Sequence, residues 1–403
     1  MIAKAKEFIT TIPVNKVGFK EIFGYEKTPV NLFMTLLTFG LLGLFIAGVS
    51  LYMMHGHHAY NVTKEHPWGL LLAAYIFFVV SSTGLCIIGS LGDVFGFKDY
   101  EIISKRAIFG SIVTILSGFA VIVFEVGHPV TMIIYNVLTP NFTSAIWWMG
   151  TLYGLYLTFM IIEFVFLLKH DMKFAKYFGL VGLIVGLAAH SNLGAVFGFL
   201  NARPISNGVY YPMYFILTAF ITGVFLAYIF MGFRYKLSFP PQIKQMLTSL
   251  AKIQIFLLAF LAFFMTWKFL TDVYGGVPGR ADTAWHILGS WTFWTEIILV
   301  IIVPMIILLK DMGRSHVALF FASLSGMVGI AFMRYNLIHD TQLKPLLMLK
   351  KREYQIPPTW IDYVPSTTEW MISLGGIGLC IAMYYLGTKF FNLDSTSVSE
   401  EAK

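Results

Sequence analysis

The sequence predicts an all-α integral membrane protein with about ten transmembrane helices, on three observations. Of its 403 residues, 57% are hydrophobic and 12% charged, against ~25% charged in a typical soluble domain. Its mean hydropathy is +0.74. The apolar residues also fall in uninterrupted runs near the ~20 residues a helix needs to cross hydrocarbon, without the alternation of barrel strands.

The expected spans are 30–54, 68–92, 106–126, 143–168, 177–197, 211–233, 247–271, 288–309, 315–333 and 369–391. Residues 1–27 are polar and basic, so no cleavable signal peptide is expected there. The second span carries "SSTGLCIIGSLG" at 81–92, small residues that let membrane helices approach closely. The third runs into "VIVFEVGHPVTM" (121–132), with Pro129 expected to stop it. Glu163 sits deep in the fourth span, Asp93 closes the second, and Glu296 lies about two turns into the eighth. Such carboxylates serve either as stations of a proton route or as hydrogen-bonding groups between helices.

Orientation follows from Lys and Arg. The N-terminal tail, with Lys4, Lys6, Lys16, Lys20 and Lys27, together with the loops on its side and the C-terminal tail, holds 18; the short loops opposite hold three. The long loop 334–368 adds five, but long loops weigh little. Both termini are therefore expected in the cytoplasm, with tails 1–29 and 392–403 flanking a membrane domain, 30–391. The pI near 9.1 reflects this asymmetry and gives no reason to expect nucleic-acid binding. Cys86 and Cys380 are the two cysteines, too few for an iron–sulfur cluster. No Walker, CxxC or CxxCH motif occurs.

Polar chemistry collects at the outer ends of the spans. Eight of ten histidines fall there: His55, His57, His58, His66, His128, His190, His286 and His339. Glu125 at an apolar helix end should hold its proton more tightly through desolvation. With His128 one turn on, it makes either a proton-exchanging pair or two groups that merely reach the interface. "HSNLGAVFGFLNARP" (190–204) offers His190, Asn192 and, just before Pro204, Arg203. Arg203 is expected to pair with Glu125 or Glu296, or else with a lipid phosphate. The trio His55, His57 and His58 reads as a solvated loop in preference to a metal site, and no metal is expected. Trp148 and Tyr211 suit an interfacial belt.

These stretches carry a resemblance. "HPWGLLLAAYIFFVVSSTG" (66–84), "EVGHP" (125–129), "NFTSAIWWMGTLYGLY" (141–156), "HSNLGAVFGFLNARP" and "RYN…YVPSTTEW" resemble the NrfD/PsrC-type membrane subunits, named after polysulfide and nitrite reductase complexes. The order of the motifs covers most of 30–391, and the ten-helix form with its YxPSxxEW-like last loop is similar to members in alternative complex III, the hydrogenase HybB group and the Dsr/Hme complexes, DsrP/HmeB-like members being favoured among them. The resemblance implies two four-helix bundles, about 68–197 and 211–333, plus flanking first and last helices. It implies a menaquinone or other quinone site near the outer face, with no haem or iron–sulfur cluster in this chain. Implied partners are a ferredoxin-like iron–sulfur subunit on the extracytoplasmic face and further redox subunits of molybdopterin, multihaem cytochrome or Dsr/Hme type. Many relatives have aspartate and arginine where this turn has Glu125 and His128, which favours a titratable pair over a fixed ion pair. On this reading Glu125 and His128 exchange protons, His190 and Asn192 hold a quinone carbonyl, Arg203 orients the site, and Trp148 and Tyr211 help wall it. A b-type cytochrome, a proton or ion transporter and a purely structural anchor are the competing readings.

Overall fold

The computed structural model describes residues 12–18, 29–311, 314–345 and 360–394. Most of the expected N-terminal tail, the middle of the loop 334–368 and the end of the C-terminal tail lie outside the described residues. No strand occurs among the described residues. The elements are α1 (Pro29–His55), α2 (Leu70–Asp93), α3 (Lys98–Ile122), α4 (Pro129–Leu138), α5 (Ala145–Leu168), α6 (Met172–Gly198) and α7 (Tyr210–Arg234). Then come α8 (Pro241–Tyr274), α9 (Arg280–Leu288), α10 (Trp291–Ile297), a π-helical turn (Ile298–Ile302), α11 (Val303–Asp311), α12 (His316–Thr341) and α13 (Thr367–Phe390). Ten spans among the described residues are long and apolar enough to cross a membrane, with α10, the π turn and most of α11 forming one of them.

Three boundaries move with consequences. α3 starts eight residues before the expected 106, with Asp99 and Glu101 in its first turn, where the helix dipole favours acids. It stops at Ile122, so Glu125 lies on the turn beyond it. Pro129 does not end that helix; it opens α4 at the first position, where its missing N–H costs nothing. α12 runs eight residues past the expected 333, because no proline interrupts 316–341. Arg334, Asn336, His339 and Asp340 therefore ride on a helix instead of an outer loop.

Small residues set the helix contacts. α2 crosses α7 at Gly84 and Gly223, where a Cβ on Gly84 would come within 2.2 Å of the Ala219 carbonyl. α1 lies on α13, with Gly375 against Phe45 and Gly378 against Leu41. The two chain ends meet on one face, the terminal face: the Asn15 N–H donates to the Phe390 carbonyl at 2.9 Å. There too Asp394 bridges Arg106 at 2.6 Å and Arg234 at 2.8 Å. The loops 56–69, 123–128, 199–209 and 360–366 lie on the opposite face.

Candidate functional site

The extension of α12 places Arg334 inside the protein, fully buried. One terminal nitrogen donates to Thr218 Oγ1 on α7. Its guanidinium lies 4.9 Å from the Phe215 ring centroid and 5.6 Å from that of Tyr214, a favourable stacking for a desolvated cation. Nε and Nη1 have no protein partner. His190 on α6 also packs against Phe215, 5.4 Å between ring centroids. Its Nδ1 shares a 3.0 Å hydrogen bond with the Tyr153 hydroxyl on α5, and its Nε2 is buried and unpartnered. Groups from α5, α6, α7 and α12 thus meet at one depth.

Next to this lies a small recess of about 50 Å³. Tyr211, Tyr214, Phe269 and Phe293 form aromatic walls, and Lys268, Glu296, Asn336 and Asp340 supply the polar groups. Asn336 Nδ2 donates to Glu296 Oε2 at 2.8 Å, leaving its own Oδ1 unpartnered. Glu296 stands two residues before the π-helical turn. Such a turn adds a residue and rotates the preceding helix relative to the next one, a device frequent at functional sites. Lys268 pairs with Asp272 at 2.6 Å, and Asp272 also faces Arg280 Nε at 3.4 Å. Lys268 Nζ lies 4.9 Å from the Phe269 ring centroid.

A second polar cluster lies on the loops of the same face. Glu369, fully buried, closes a capping box with Ser366 at the start of α13. It also accepts from the Asn61 and Leu70 amides at 3.1 and 3.2 Å and from the Tyr363 hydroxyl. Gly69 is obligatory beside it, since a Cβ there would fall 2.4 Å from Glu369 Oε1. His66, 1% exposed, stacks on Tyr363 with centroids 4.3 Å apart, and both ring nitrogens lack partners. Burial, reinforced by nearby His339, holds it neutral with a pKa down to about 4. His339 lies 6.2 Å from His66 and shares a 3.1 Å contact with Asp340, a recess residue. Asp340, His339, His66, Tyr363 and Glu369 thus stand in succession between recess and turn.

Glu125 ends that succession. Burial and the adjacent Glu369 push its carboxyl up to about 7, opposed by the Gly69 amide. Its proton is held more tightly in the folded chain than in the unfolded one. The stabilisation is complete below about pH 4.5 and is lost as pH rises through about 7. We expect the melting midpoint of the detergent-solubilised protein to fall between pH 5 and 8, and Glu125→Gln to flatten that fall by on the order of 2 kcal/mol. A mutant curve parallel to wild type would contradict this assignment.

Of the other sequence-derived candidates, Tyr211 lines the recess, and His190 does not line it but packs against Phe215, next to the recess residue Tyr214. Asn192 donates to the Ala145 carbonyl at 2.8 Å, tying α6 to α5. Trp148 donates to the Phe142 carbonyl at 2.9 Å and is partly exposed. His128 is exposed ahead of α4. Arg203 makes no ion pair with Glu125 or Glu296; it bonds the carbonyls of Lys344 and Glu65 and so ties two loops together. His57 packs against Tyr52 and Tyr60, and among the described residues no three His, Cys, Asp or Glu side chains converge as metal ligands. Arg334, Asn336, Lys268 and Asp340 are site residues that sequence reasoning misses. "RYNLIHD" is the available signal for three of them, but its charges read as an outer loop.

Ten membrane-length helices among the described residues, four of them lining an aromatic recess with buried ionisable groups, define a polytopic membrane protein with an internal site near one face. A profile described as "Polysulphide reductase, NrfD" matches residues 58–345. The chain belongs to that family. It is 24% identical over 368 residues to the Hdr-like menaquinol oxidoreductase integral membrane subunit of Archaeoglobus fulgidus, covering 85% of this chain and 88% of the relative. It is also 24% identical over 408 residues to a selenate reductase subunit of Mesobacillus selenatarsenatis, covering 88% and 92%.

Proposed function

We propose that this chain is the quinone-interacting membrane subunit of a respiratory redox complex, exchanging electrons between a menaquinone-type carrier and an iron–sulfur partner docked on the recess face. The Lys/Arg count makes that face extracytoplasmic, so both termini lie in the cytoplasm. The family membership and the names of the two relatives support a redox complex. The observation that carries the site is the recess itself, aromatic-walled with the Glu296–Asn336 pair at its edge. Quinone sites are mostly apolar, with a few polar groups that fix orientation.

Quinol releases two electrons and two protons on oxidation, and quinone takes them up. Within the recess Tyr211, Tyr214, Phe269 and Phe293 exclude water and present ring faces to a flat headgroup. Asn336 Oδ1 and Glu296 offer hydrogen-bond acceptors, and Lys268 offers a donor. Arg334 supplies fixed positive potential one layer back. Asp340 and His339 beside the recess, and Glu125 at the aqueous face, are the groups that take up and release its protons. The terminal substrate is turned over in another subunit, whether of molybdopterin, multihaem or Dsr/Hme type.

The test is menaquinol-dependent reduction of the partner's clusters in the intact complex. Glu296→Gln keeps the shape and removes the carboxylate; turnover should drop at least ~100-fold, the lower end of the usual scale for a positioned acid–base group. Wild-type turnover in Glu296→Gln and in Asn336→Leu alike would move the site elsewhere.

A further inference from the structure

A groove of about 490 Å³ opens on the terminal side of the protein, between α8 and the turn that joins α2 to α3. That volume falls in the range of about 300–1,000 Å³ that small-molecule sites occupy. None of the residues lining the groove lines the recess.

The lining changes character with depth. α3 and α8 both start on the terminal side and run from there through membrane-length spans. Lys98, the first residue of α3, stands at the rim with Asp99. Tyr100, 7% exposed, donates its hydroxyl to Ser249 Oγ at 2.8 Å and braces α3 against α8 below them. Ile253 lies one turn deeper along α8 than Ser249, and with Leu91 of α2 it makes the inner lining apolar. Phe97 lines the side, and both Phe95 and Phe97 on the connecting turn are more than half exposed. Bare phenyl rings at the ends of membrane spans suit contact with lipid.

The charge balance of the groove is positive. Lys98 makes no ion pair among the described residues. Asp99 is the acid in the lining, and its carboxylate accepts from Gln245 Nε2 of α8 at 3.3 Å. Lys252, exposed, follows Ser249 by three residues and so shares its face of α8. A lysine inside a span extends its ammonium to the level of the lipid phosphates. A soluble anion has no use for Leu91, Phe97 and Ile253, and a free hydrocarbon chain has none for the lysines. A phospholipid uses both, and basic pockets between spans are where anionic head groups bind.

We propose that this groove holds one anionic phospholipid, its phosphate at Lys98 and Lys252 and its acyl chains along Leu91 and Ile253. The lipid fills a gap between α8 and the α2–α3 turn that protein atoms leave open. The site does not depend on the quinone reading, and its test needs no turnover.

The experiment is titration of the purified, delipidated full-length protein with phosphatidylglycerol or phosphatidylcholine, read by native mass spectrometry. One phosphatidylglycerol should bind at least ~10-fold more tightly than phosphatidylcholine, as two lysines at one phosphate require. Lys98→Gln and Lys252→Gln should each weaken it about fivefold, the effect of one lysine at a membrane surface. Ile253→Trp fills the groove and should remove the tight site. Lys176→Gln, exposed on α6 and outside the groove, should leave binding unchanged. Glycerol 3-phosphate, which has the phosphate without the chains, should not displace the lipid. Equal affinity for the two lipids is ordinary solvation of the helix surface and overturns the proposal. Tight binding kept in both Lys98→Gln and Ile253→Trp places the lipid elsewhere and overturns it too. Displacement by equimolar glycerol 3-phosphate makes this a site for a soluble phosphate and equally overturns it.

Discussion

Gly84→Leu should leave no folded protein, and Gly84→Ala should lower stability by about 3 kcal/mol. The first atom added at this position meets the Ala219 carbonyl at 2.2 Å and the Gly223 amide nitrogen at 2.6 Å. Those are backbone atoms of α7, which cannot rotate aside as a side chain would. Relief requires α2 and α7 to separate along their crossing. That crossing positions Thr218, one residue before Ala219, as the hydrogen-bond partner of Arg334. Separation therefore exposes a buried guanidinium to unfilled space while voids open beside Phe215 and Phe225. Thermal melting in detergent and yield from membranes read the effect. A Gly84→Leu protein with wild-type melting would sink the close-crossing assignment. Gly223→Ala, the reciprocal change, should match Gly84→Ala, since its Cβ would fall 2.2 Å from the Gly84 carbonyl.

Arg334→Met should behave in the opposite way, with fold retained and activity lost. The side chain is fully buried and has one protein hydrogen bond for its five donors. Its desolvation is only partly offset, and replacing a buried charge with an apolar group of similar length is often near neutral. A melting shift within about 2 kcal/mol is expected. Quinol-dependent cluster reduction should fall on the order of 100-fold, the scale of removing one fixed electrostatic group from a low-dielectric site. Arg334→Lys should recover little, because a point charge cannot span Thr218 and the Phe215 face. Normal turnover in Arg334→Met would separate Arg334 from the site.

The features readable in the chain divide from the rest along a physical line. Run length and the absence of charge are local properties, so the expected span 143–168 agrees with the helix Ala145–Leu168 to within two residues. Helix ends set by proline and caps are harder. Pro129 is compatible with stopping one helix or starting another, and only the turn at 123–128 decides between them. Arg334 is hard to place for a related reason. A charged residue near an apolar edge reads as the edge itself, unless a partner such as Thr218 on another helix makes burial tolerable.

The site obeys the same rule. Tyr211 and His190 stand out by composition and motif; Tyr211 lines the recess, and His190 packs against Phe215, next to the recess residue Tyr214. Arg203 and Asn192 stand out with equal reason, yet their donors are taken up by backbone carbonyls of Lys344, Glu65 and Ala145.

By itself the sequence determined a membrane protein of ten crossings, the side bias of its lysines and arginines, and a concentration of ionisable groups toward one set of helix ends. These depend on hydrocarbon thickness and on the cost of burying charge, which act on each segment separately. Tertiary structure alone decided which of those groups face one another: Glu296 with Asn336, Arg334 with Thr218, Asp93 with Glu163. Facing depends on the rotation and crossing of helices far apart in the chain, and a pair of glycines at 84 and 223 governs that more than any polar residue does.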